Sequence, residues 1–472
     1  MTRAPRPFLR HCHRASALSG PDPTTIGQVA PPHSLGLVFD CAPIALSHIG
    51  LCDVRLNQTM SGFDTGILRE LPNVVGLVLW QNLRHTHDWV QTTGDKRNSL
   101  FHRTDAQAAW VREKRAEARR TTPELAAALT TFETWLRSPE AVPNAALADA
   151  CEMIARWAYT QGFVDTGAHY AEAAAQIEPP NLGRTIAAAK MARDSGDMKR
   201  AERWFGLVIV TARSGKQWEE YIRANLGLGI LFMLTKQDQR ARKHLEHAAK
   251  KARREGYEWL AAEAQHDLFQ FMTIRGNYEA AEVHARKALE WYPKNNPRLP
   301  FLVADAAFLL ILRRHYSEAV ELLRHFLRAK DKPPQNLLGL SMFVRALGAM
   351  GQRRKFERMR RKLLREIPQT TVEAAARWHL AEGERAMGRW QQASEEAAES
   401  LSLSLARQDA ETAEFARWTL GEVEARRPVP VEVARAAPEV TEFVRLVTSR
   451  LAEWAPTKRG RPRRRPPEDW DH

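Results

Sequence analysis

The feature that most constrains the fold of this chain is a helical-hairpin pattern that recurs every 34 to 40 residues. In each unit a turn residue separates two segments whose apolar and small residues follow the 3.6-residue period of an α-helix. A single hairpin of this size cannot bury its apolar face, so the pattern predicts stacked hairpins and an all-α solenoid. The units cover 148–181, 182–221, 222–261, 262–295, 300–336, 337–373 and 374–410.

The unit at 262–295 shows the pattern most clearly. Gly276 supplies the turn and Tyr278 the aromatic residue after it, while Ala281 and Ala288 are small residues at the positions where two helices cross closely. This segment resembles the second half of a tetratricopeptide repeat (TPR), whose unit is a helical hairpin of about 34 residues. The resemblance implies a right-handed α-solenoid of about seven hairpins.

Three positions depart from the TPR pattern. Lys236 and Arg314 stand where the turn glycine is expected, and Phe356 replaces a small residue at a helix crossing. A larger side chain at a crossing keeps two helices apart. We therefore expect these hairpins to cross at wider spacing than the others.

The resemblance and the distribution of proline divide the chain into segments. Proline lacks an amide hydrogen and interrupts helices, so the proline-rich start is expected to be irregular, or to precede a native start at Met60. The expected segments are a disordered or non-native N-terminal arm (1–60), a helical N-terminal cap region (68–145), the TPR-like solenoid (146–425), a C-terminal capping helix (426–455) and a basic Pro/Arg tail (456–472).

The first helices of TPR hairpins line a concave groove, which the resemblance makes the candidate binding site. Its lining here combines cations with apolar residues and contains few acids, which suits a partner protein or peptide with acidic and apolar residues. The alternative interpretation is that these residues are merely solvated in an empty groove. The groove residues are Arg156, Tyr159, Lys190, Arg193, Arg223, His266, Gln270, Phe308 and Arg345.

Six tryptophans fall in the predicted repeat helices or their turns. We expect them to pack between hairpins, since each ring can bury a large area, and keep an aromatic binding cage as the alternative. They are Trp204, Trp259, Trp291, Trp378, Trp390 and Trp418.

The C-terminal tail carries a second resemblance, to an AT-hook with its Arg-Gly-Arg-Pro core. The resemblance implies that the arginines lie along the narrow minor groove of A/T-rich DNA, where the negative potential is strong. The formal charge of +14 agrees with anionic partners without identifying one, and a solubilising tail is the alternative. The residues are Lys458, Arg459, Gly460, Arg461, Pro462 and Arg463.

The sequence contains no motif that indicates an enzyme, a metal or cofactor site, or a membrane protein. No nucleophile or phosphate-loop motif is present, and His244 and His247, three residues apart on a helix, are interpreted as surface residues. We therefore expect a protein that is not an enzyme and has no cofactor or metal. No run of apolar residues is long enough to cross a membrane, so a cytoplasmic location is expected.

Two hypotheses of function remain. The first is a non-enzymatic scaffold that binds a partner protein or peptide in the concave groove of the solenoid. The alternative is a DNA-associated transcriptional regulator, in which the solenoid senses or recruits a partner and the tail contacts A/T-rich DNA.

Overall fold

A computed structural model provides the structure of this protein. It describes residues 66–92, 97, 100, 105–294, 296–329, 335–368, 370, 372–430 and 438–454. All regular structure in these residues is helical, as the sequence predicted, and the chain forms a right-handed α-solenoid with a TPR-like fold. The N-terminal arm expected at 1–60 and the tail expected at 456–472 lie outside the described residues.

Four helices precede the repeats. They are α1 (Gly66–Glu70), α2 (Val74–Gln91), α3 (Asp105–Thr121) and α4 (Ala126–Arg137), with short 3₁₀ turns at Pro123–Leu125 and Pro139–Ala141.

Seven hairpins and one further inner helix follow, each hairpin made of an inner and an outer helix. They are α5 (Asn144–Thr160) with α6 (Val164–Ile177), α7 (Leu182–Asp194) with α8 (Met198–Ser214), α9 (Trp218–Leu234) with α10 (Asp238–Arg254), α11 (Glu258–Ile274) with α12 (Tyr278–Trp291), α13 (Leu299–Leu312) with α14 (Tyr316–Ala329), α15 (Gln335–Ala349) with α16 (Arg353–Glu366), α17 (Glu373–Ala386) with α18 (Trp390–Ala406), and the single helix α19 (Ala410–Glu424).

The turns inside the hairpins have the same backbone conformation whether or not they contain glycine. Gly276 has φ of 72°, in the left-handed region that glycine adopts without strain. Lys236 and Arg314 adopt φ of 58° and 65° at the equivalent positions. The repeat pattern therefore located these turns correctly even where the favoured residue is absent.

Small residues allow close helix crossings, as the pattern required. Ala281 and Ala288 are fully buried in α12. The backbones of α15 and α17 approach closely, since a β-carbon added at Gly348 would lie 2.5 Å from the carbonyl oxygen of Gly383. Phe356 of α16 is fully buried and also lies next to Gly383, so glycine on the neighbouring helix makes room for its ring.

The helices before the repeats are attached to the first hairpin by polar contacts to the backbone. The buried hydroxyl of Tyr170 in α6 donates a 2.7 Å hydrogen bond to the carbonyl of Leu79 in α2. The carboxylate of Glu70 accepts hydrogen bonds from the amides of Asp165 and Thr166, at 2.9 and 2.8 Å. Glu70 thereby satisfies amides in the first turn of α6 that no helical carbonyl can reach.

The last helix, α20 (Pro438–Trp454), differs in position from the capping helix expected at 426–455. It packs against α13 and α14 in the middle of the array. The guanidinium of Arg450 donates hydrogen bonds of 3.0 and 2.7 Å to the carbonyls of Leu289 and Tyr292, at the end of α12. The connection from Trp291 to Leu299 is longer than most of those between hairpins, which leaves room for α20 between α12 and α14.

The solenoid turns back on itself through α19, which contacts α9. Arg275, in the turn after α11, forms 2.7 Å ion pairs with Asp238 of α10 and Glu411 of α19. Lys236 pairs with Glu414 one helical turn further along α19. These contacts join hairpins that are far apart in sequence.

Candidate functional site

The inner surface of the solenoid is formed by the odd-numbered helices α5 to α19. Successive odd-numbered helices from α7 onward contact one another, and those from α9 onward surround a cavity. This surface contains both a cluster of cations and a partly enclosed pocket.

The cation cluster is centred on Lys190, which is exposed and forms no ion pair within the described residues. Protein atoms around it remove part of its hydration, which lowers the pKa of the Lys190 ammonium, and the charges of Arg193, Arg298 and Arg223 lower that pKa further. Glu263 acts in the opposite direction. Three of these four cations belong to the predicted groove, and Arg298 is an addition from the structure.

The other cations of the cluster are partly neutralised by acids beside them. Arg193 lies 2.8 Å from Asp194, and Arg298 lies 3.0 Å from Glu263. Arg223 pairs with Glu219 at 2.7 Å on its own helix. Lys190 is therefore the cation of the cluster best placed to bind a carboxylate of another molecule.

Two predicted groove residues lie on α5, the inner helix that precedes α7 and its Lys190. Arg156 is exposed and has no ion pair within the described part of the chain. The hydroxyl of Tyr159 donates a 2.9 Å hydrogen bond to Asp194 of α7. Tyr159 thus connects two inner helices, and Arg156 extends the positive surface beyond them.

His266 does not face the groove as the sequence mapping predicted, because it is completely buried behind Asp305. Its Nε2 atom lies 2.7 Å from Asp305 Oδ2, and its Nδ1 atom lies 3.1 Å from the hydroxyl of Tyr292. Gln270 Nε2 donates a 2.6 Å hydrogen bond to the same Asp305 oxygen. His266 and Gln270 therefore hold the Asp305 carboxylate in a fixed orientation.

The pocket lies beside Asp305 and has a volume of about 270 Å³. Helices α9, α11, α13, α15 and α17 and the start of α19 all contribute to its wall, so the return of α19 onto α9 helps to enclose it. Its lining residues are Met233, Leu234, Gln270, Thr273, Ile274, Asp305, Phe308, Leu338, Met342, Ala375, Trp378, His379, Asp409, Glu411, Thr412 and Phe415.

One wall of the pocket is an aromatic cluster. Phe415 of α19 stacks on Trp378 of α17, with ring centroids 4.6 Å apart and planes 14° apart. Phe308 of α13 meets Trp378 edge-on at 6.0 Å and His379 at 5.4 Å. Burial, and then the charge of Arg345, lower the pKa of His379 well below its usual value, so this ring is neutral.

Arg345 is not available to a partner as the sequence mapping predicted. Its guanidinium lies 4.8 Å from the Trp378 ring and 3.4 Å from the buried carboxylate of Glu382. Arg385 binds that carboxylate with two hydrogen bonds of 3.0 and 2.9 Å. Burial acts to raise the pKa of Glu382, but Arg345 and Arg385 outweigh burial and hold it below its usual value.

The tryptophans described here all pack within the protein, as the first interpretation expected. Trp204 and Trp378 are buried, and the indole nitrogen of Trp204 donates a 2.9 Å hydrogen bond to Glu172. Trp259 and Trp291 are half-buried, and each has an arginine over its ring, at 4.9 and 4.5 Å. Trp378 also lines the pocket, together with Phe308 and Phe415.

The remaining sequence candidates give no further site in the described residues. His244 Nδ1 lies 2.9 Å from Asn225 Oδ1, and His247 Nε2 lies 3.0 Å from the hydroxyl of Tyr221, so each of these histidines has its own partner. Within the described ranges no group of three His, Cys, Asp or Glu could hold a metal ion. None of the described helices has the length and apolar character needed to span a membrane. The predicted DNA contacts, Lys458 to Arg463, lie outside the described residues.

Sequence reasoning missed Asp305, Thr273 and Phe415, which the structure places around the pocket. Asp305 and Phe415 are more than a hundred residues apart, so the repeat period contains no signal that they meet. Only the position of each residue on an inner helix could be read from the sequence.

Comparison with known proteins gives similar solved structures but no match by sequence. No protein-family model matches the chain, and no curated protein matches its sequence. Among solved structures, the chain is similar to a Rap protein complexed with competence and sporulation factor, at 10% identity and a TM-score of 0.32, over 78% of this chain and 99% of that one. It is also similar to the TPR domain of P58(IPK), at 11% identity and a TM-score of 0.21, over 67% of this chain and 94% of that one. The description of this protein as an all-α solenoid with a TPR-like fold therefore rests on its own helices.

Proposed function

We propose that this protein is a non-enzymatic interaction scaffold that binds an acidic and apolar segment of a partner protein along its inner surface. The observation that carries the proposal is the cation cluster around Lys190. Its four positive charges come from three elements, α7, α9 and the start of α13, and Lys190 has no ion pair within the described residues.

The electrostatics of the cluster favour a partner with carboxylates. Loss of hydration, and then the neighbouring cations, lower the pKa of Lys190, and a bound anion would offset both effects. A carboxylate that hydrogen-bonds to an ammonium or guanidinium contributes about 1.5–3 kcal/mol, more than a neutral hydrogen bond. Arg156 on α5 extends the same positive surface, so a partner segment could make contacts on successive inner helices.

The test uses peptides selected from a random display library against the full chain. We expect enriched peptides to contain Asp or Glu beside apolar residues, and to bind more weakly when their carboxylates are changed to amides. The double variant Arg156→Glu plus Lys190→Glu should weaken binding by at least about tenfold, since each tenfold loss corresponds to about 1.4 kcal/mol. Fluorescence anisotropy of labelled peptides measures these affinities.

A matched control changes the same net charge on outer helices. Lys199 of α8 and Lys287 of α12 are exposed, and their double change to Glu should leave peptide affinity within about twofold, because screening limits the reach of exposed charges. If the selected peptides bind the Arg156 and Lys190 double variant as well as they bind the unchanged protein, the cation cluster is not the binding surface.

A second candidate function, DNA association, is favoured by the Arg-Gly-Arg-Pro sequence at residues 459–462. We expect the full chain to retard an A/T-rich duplex in a mobility-shift assay, with affinity that falls as salt increases. Deletion of residues 456–472 should weaken this binding and reduce its salt dependence. Equal affinity and equal salt dependence with and without these residues would remove the tail from the DNA hypothesis.

A further inference from the structure

The pocket enclosed by α19 has an uneven distribution of charge. Three of its lining residues are carboxylates (Asp305, Asp409 and Glu411), and no lysine or arginine lines it. The nearest arginines are already occupied, since Arg275 pairs with Asp238 and Glu411, and Arg345 pairs with Glu382. The pocket therefore combines an acidic side with the aromatic wall described above.

Asp305 lines the pocket, and one of its two carboxylate oxygens has no described hydrogen bond. Both of its described hydrogen bonds, from His266 and Gln270, go to Oδ2, and none reaches Oδ1. A carboxylate oxygen can only accept, so His266 carries its hydrogen on Nε2 and its Nδ1 accepts from the hydroxyl of Tyr292. This arrangement fixes the carboxylate while leaving Oδ1 available to a donor from a ligand.

A second and independent observation is the hydroxyl of Thr273, which also lines the pocket. Thr273 is only 2% exposed, and its Oγ1 atom has no hydrogen-bond partner among the described residues. A buried hydroxyl left without a partner costs about 1–3 kcal/mol, so a polar group in the pocket would be stabilised there. Thr273 and Gln270 lie one helical turn apart on α11, which places this hydroxyl on the same side of the pocket as Asp305.

The opposite side of the pocket is apolar and rigid. Phe308 and Phe415 are held by their ring contacts with Trp378, whose indole nitrogen donates a 3.1 Å hydrogen bond to Thr419. Met342 completes this side. A volume of about 270 Å³ lies just below the roughly 300–1,000 Å³ usual for ligand pockets, so it admits a small molecule or one residue of a larger one.

We propose that this pocket binds a primary ammonium group attached to a small aromatic or branched apolar body. The ammonium donates to Asp305 Oδ1 and Thr273 Oγ1, and the apolar body packs against Phe308, Phe415 and Met342. This inference goes beyond the proposed function, because it concerns a small ligand group at the α19 end of the inner surface and requires no acidic partner.

The test compares three probes of similar shape by isothermal titration calorimetry with the full chain. Phenethylamine carries the ammonium, 2-phenylethanol is neutral, and 3-phenylpropionate is anionic. We expect phenethylamine to bind at least about tenfold more tightly than either other probe, because only its ammonium complements the carboxylate. No phenethylamine binding at millimolar concentrations, or equal binding of the alcohol, would overturn the proposal.

Variants connect this preference to the pocket. Asp305→Asn should remove the preference for phenethylamine over the alcohol. Glu290→Gln loses the same charge from an exposed position on the outer helix α12 and should retain the preference. If Asp305→Asn fails to fold, Phe308→Leu serves instead, and it should weaken phenethylamine and the alcohol alike. The ligand would bind elsewhere if a folded Asp305→Asn protein kept its preference for phenethylamine. The same conclusion would follow if Phe308→Leu left the affinities for phenethylamine and the alcohol unchanged.

A final comparison separates the two sources of such an ammonium. The tripeptide amide Phe-Gly-Gly carries a free amino terminus, and its acetylated form does not. Binding of the free tripeptide at an affinity close to that of phenethylamine would identify the amino end of a peptide as a ligand. Binding of phenethylamine alone would identify a free small amine. Equal binding of the acetylated and free tripeptides would contradict the role of the ammonium.

Discussion

The close crossing of α15 and α17 predicts that a glycine-to-alanine substitution there destabilises the protein, although the same substitution usually stabilises a helix. Replacing a glycine by alanine inside a helix normally stabilises the protein by about 0.8–1 kcal/mol. At Gly348, however, the new β-carbon would lie 2.5 Å from the carbonyl oxygen of Gly383 and 2.9 Å from its Cα atom. Carbon–oxygen contacts between packed backbones are about 3.3 Å or longer, so the two helices would have to separate by about 0.8 Å.

The separation would loosen packing around Phe356 and the pocket wall. Overpacking of a core costs about 1–3 kcal/mol, which exceeds the gain in helix propensity. We therefore expect Gly348→Ala to lower the free energy of unfolding by up to about 2 kcal/mol. The matched control is Gly206→Ala in α8, where an added β-carbon meets no atom within 4 Å, and this change should stabilise by up to about 1 kcal/mol.

Urea unfolding followed by circular dichroism at 222 nm measures both variants under the same conditions. The informative quantity is the difference between the two substitutions, about 1–3 kcal/mol, because helix propensity contributes equally to each and only the overpacking cost remains. A Gly348→Ala protein as stable as Gly206→Ala would show that α15 and α17 do not approach as closely as described.

Three further predictions follow from polar contacts between elements. Glu382→Ala leaves two arginines without their buried carboxylate and should lower stability by about 3–5 kcal/mol in urea unfolding. The pKa of Glu382 is depressed in the folded state. The stability that its carboxylate contributes is therefore present above the unfolded pKa and is lost as pH falls through the folded pKa. The unchanged protein should consequently lose stability in acid more steeply than Glu382→Gln. Hydrogen exchange measured by mass spectrometry should be faster in α19 of Arg275→Ala but unchanged in α5. Unchanged exchange in α19 would show that the ion pair of Arg275 with Glu411 does not hold α19 in place. Glu70→Ala removes the hydrogen bonds at the start of α6 and should cost about 0.5–2 kcal/mol, with a thermal midpoint equal to that of the unchanged protein counting against this contact.

The repeat period predicted the features that depend on contacts within a single hairpin. Sequence spacing describes contacts within one hairpin well, and it correctly located the turns at Lys236 and Arg314 and the buried crossing residue Ala281. The helix expected to cap the array lies beside α13 and α14 instead, because its position depends on a gap between α12 and α14 that the period does not encode.

The candidate site was less predictable than the fold. Gln270 and Phe308 line the pocket, whereas His266 and Arg345 are used internally, behind Asp305 and Trp378. Helical spacing assigns a residue to a face, but it does not reveal that a distant helix covers that face. The return of α19 decides which inner residues remain open to a ligand.

The contact between α19 and α9 also changes how the array should respond to damage. In an open solenoid each repeat interacts only with its neighbours, so stability can be lost piecewise from either end. Here the ion pairs of Arg275 and Lys236 join the last inner helix to hairpins that precede it by well over a hundred residues. We therefore expect melting of α19 to withdraw support from the centre of the array, and the repeats between α9 and α19 to unfold together rather than one at a time.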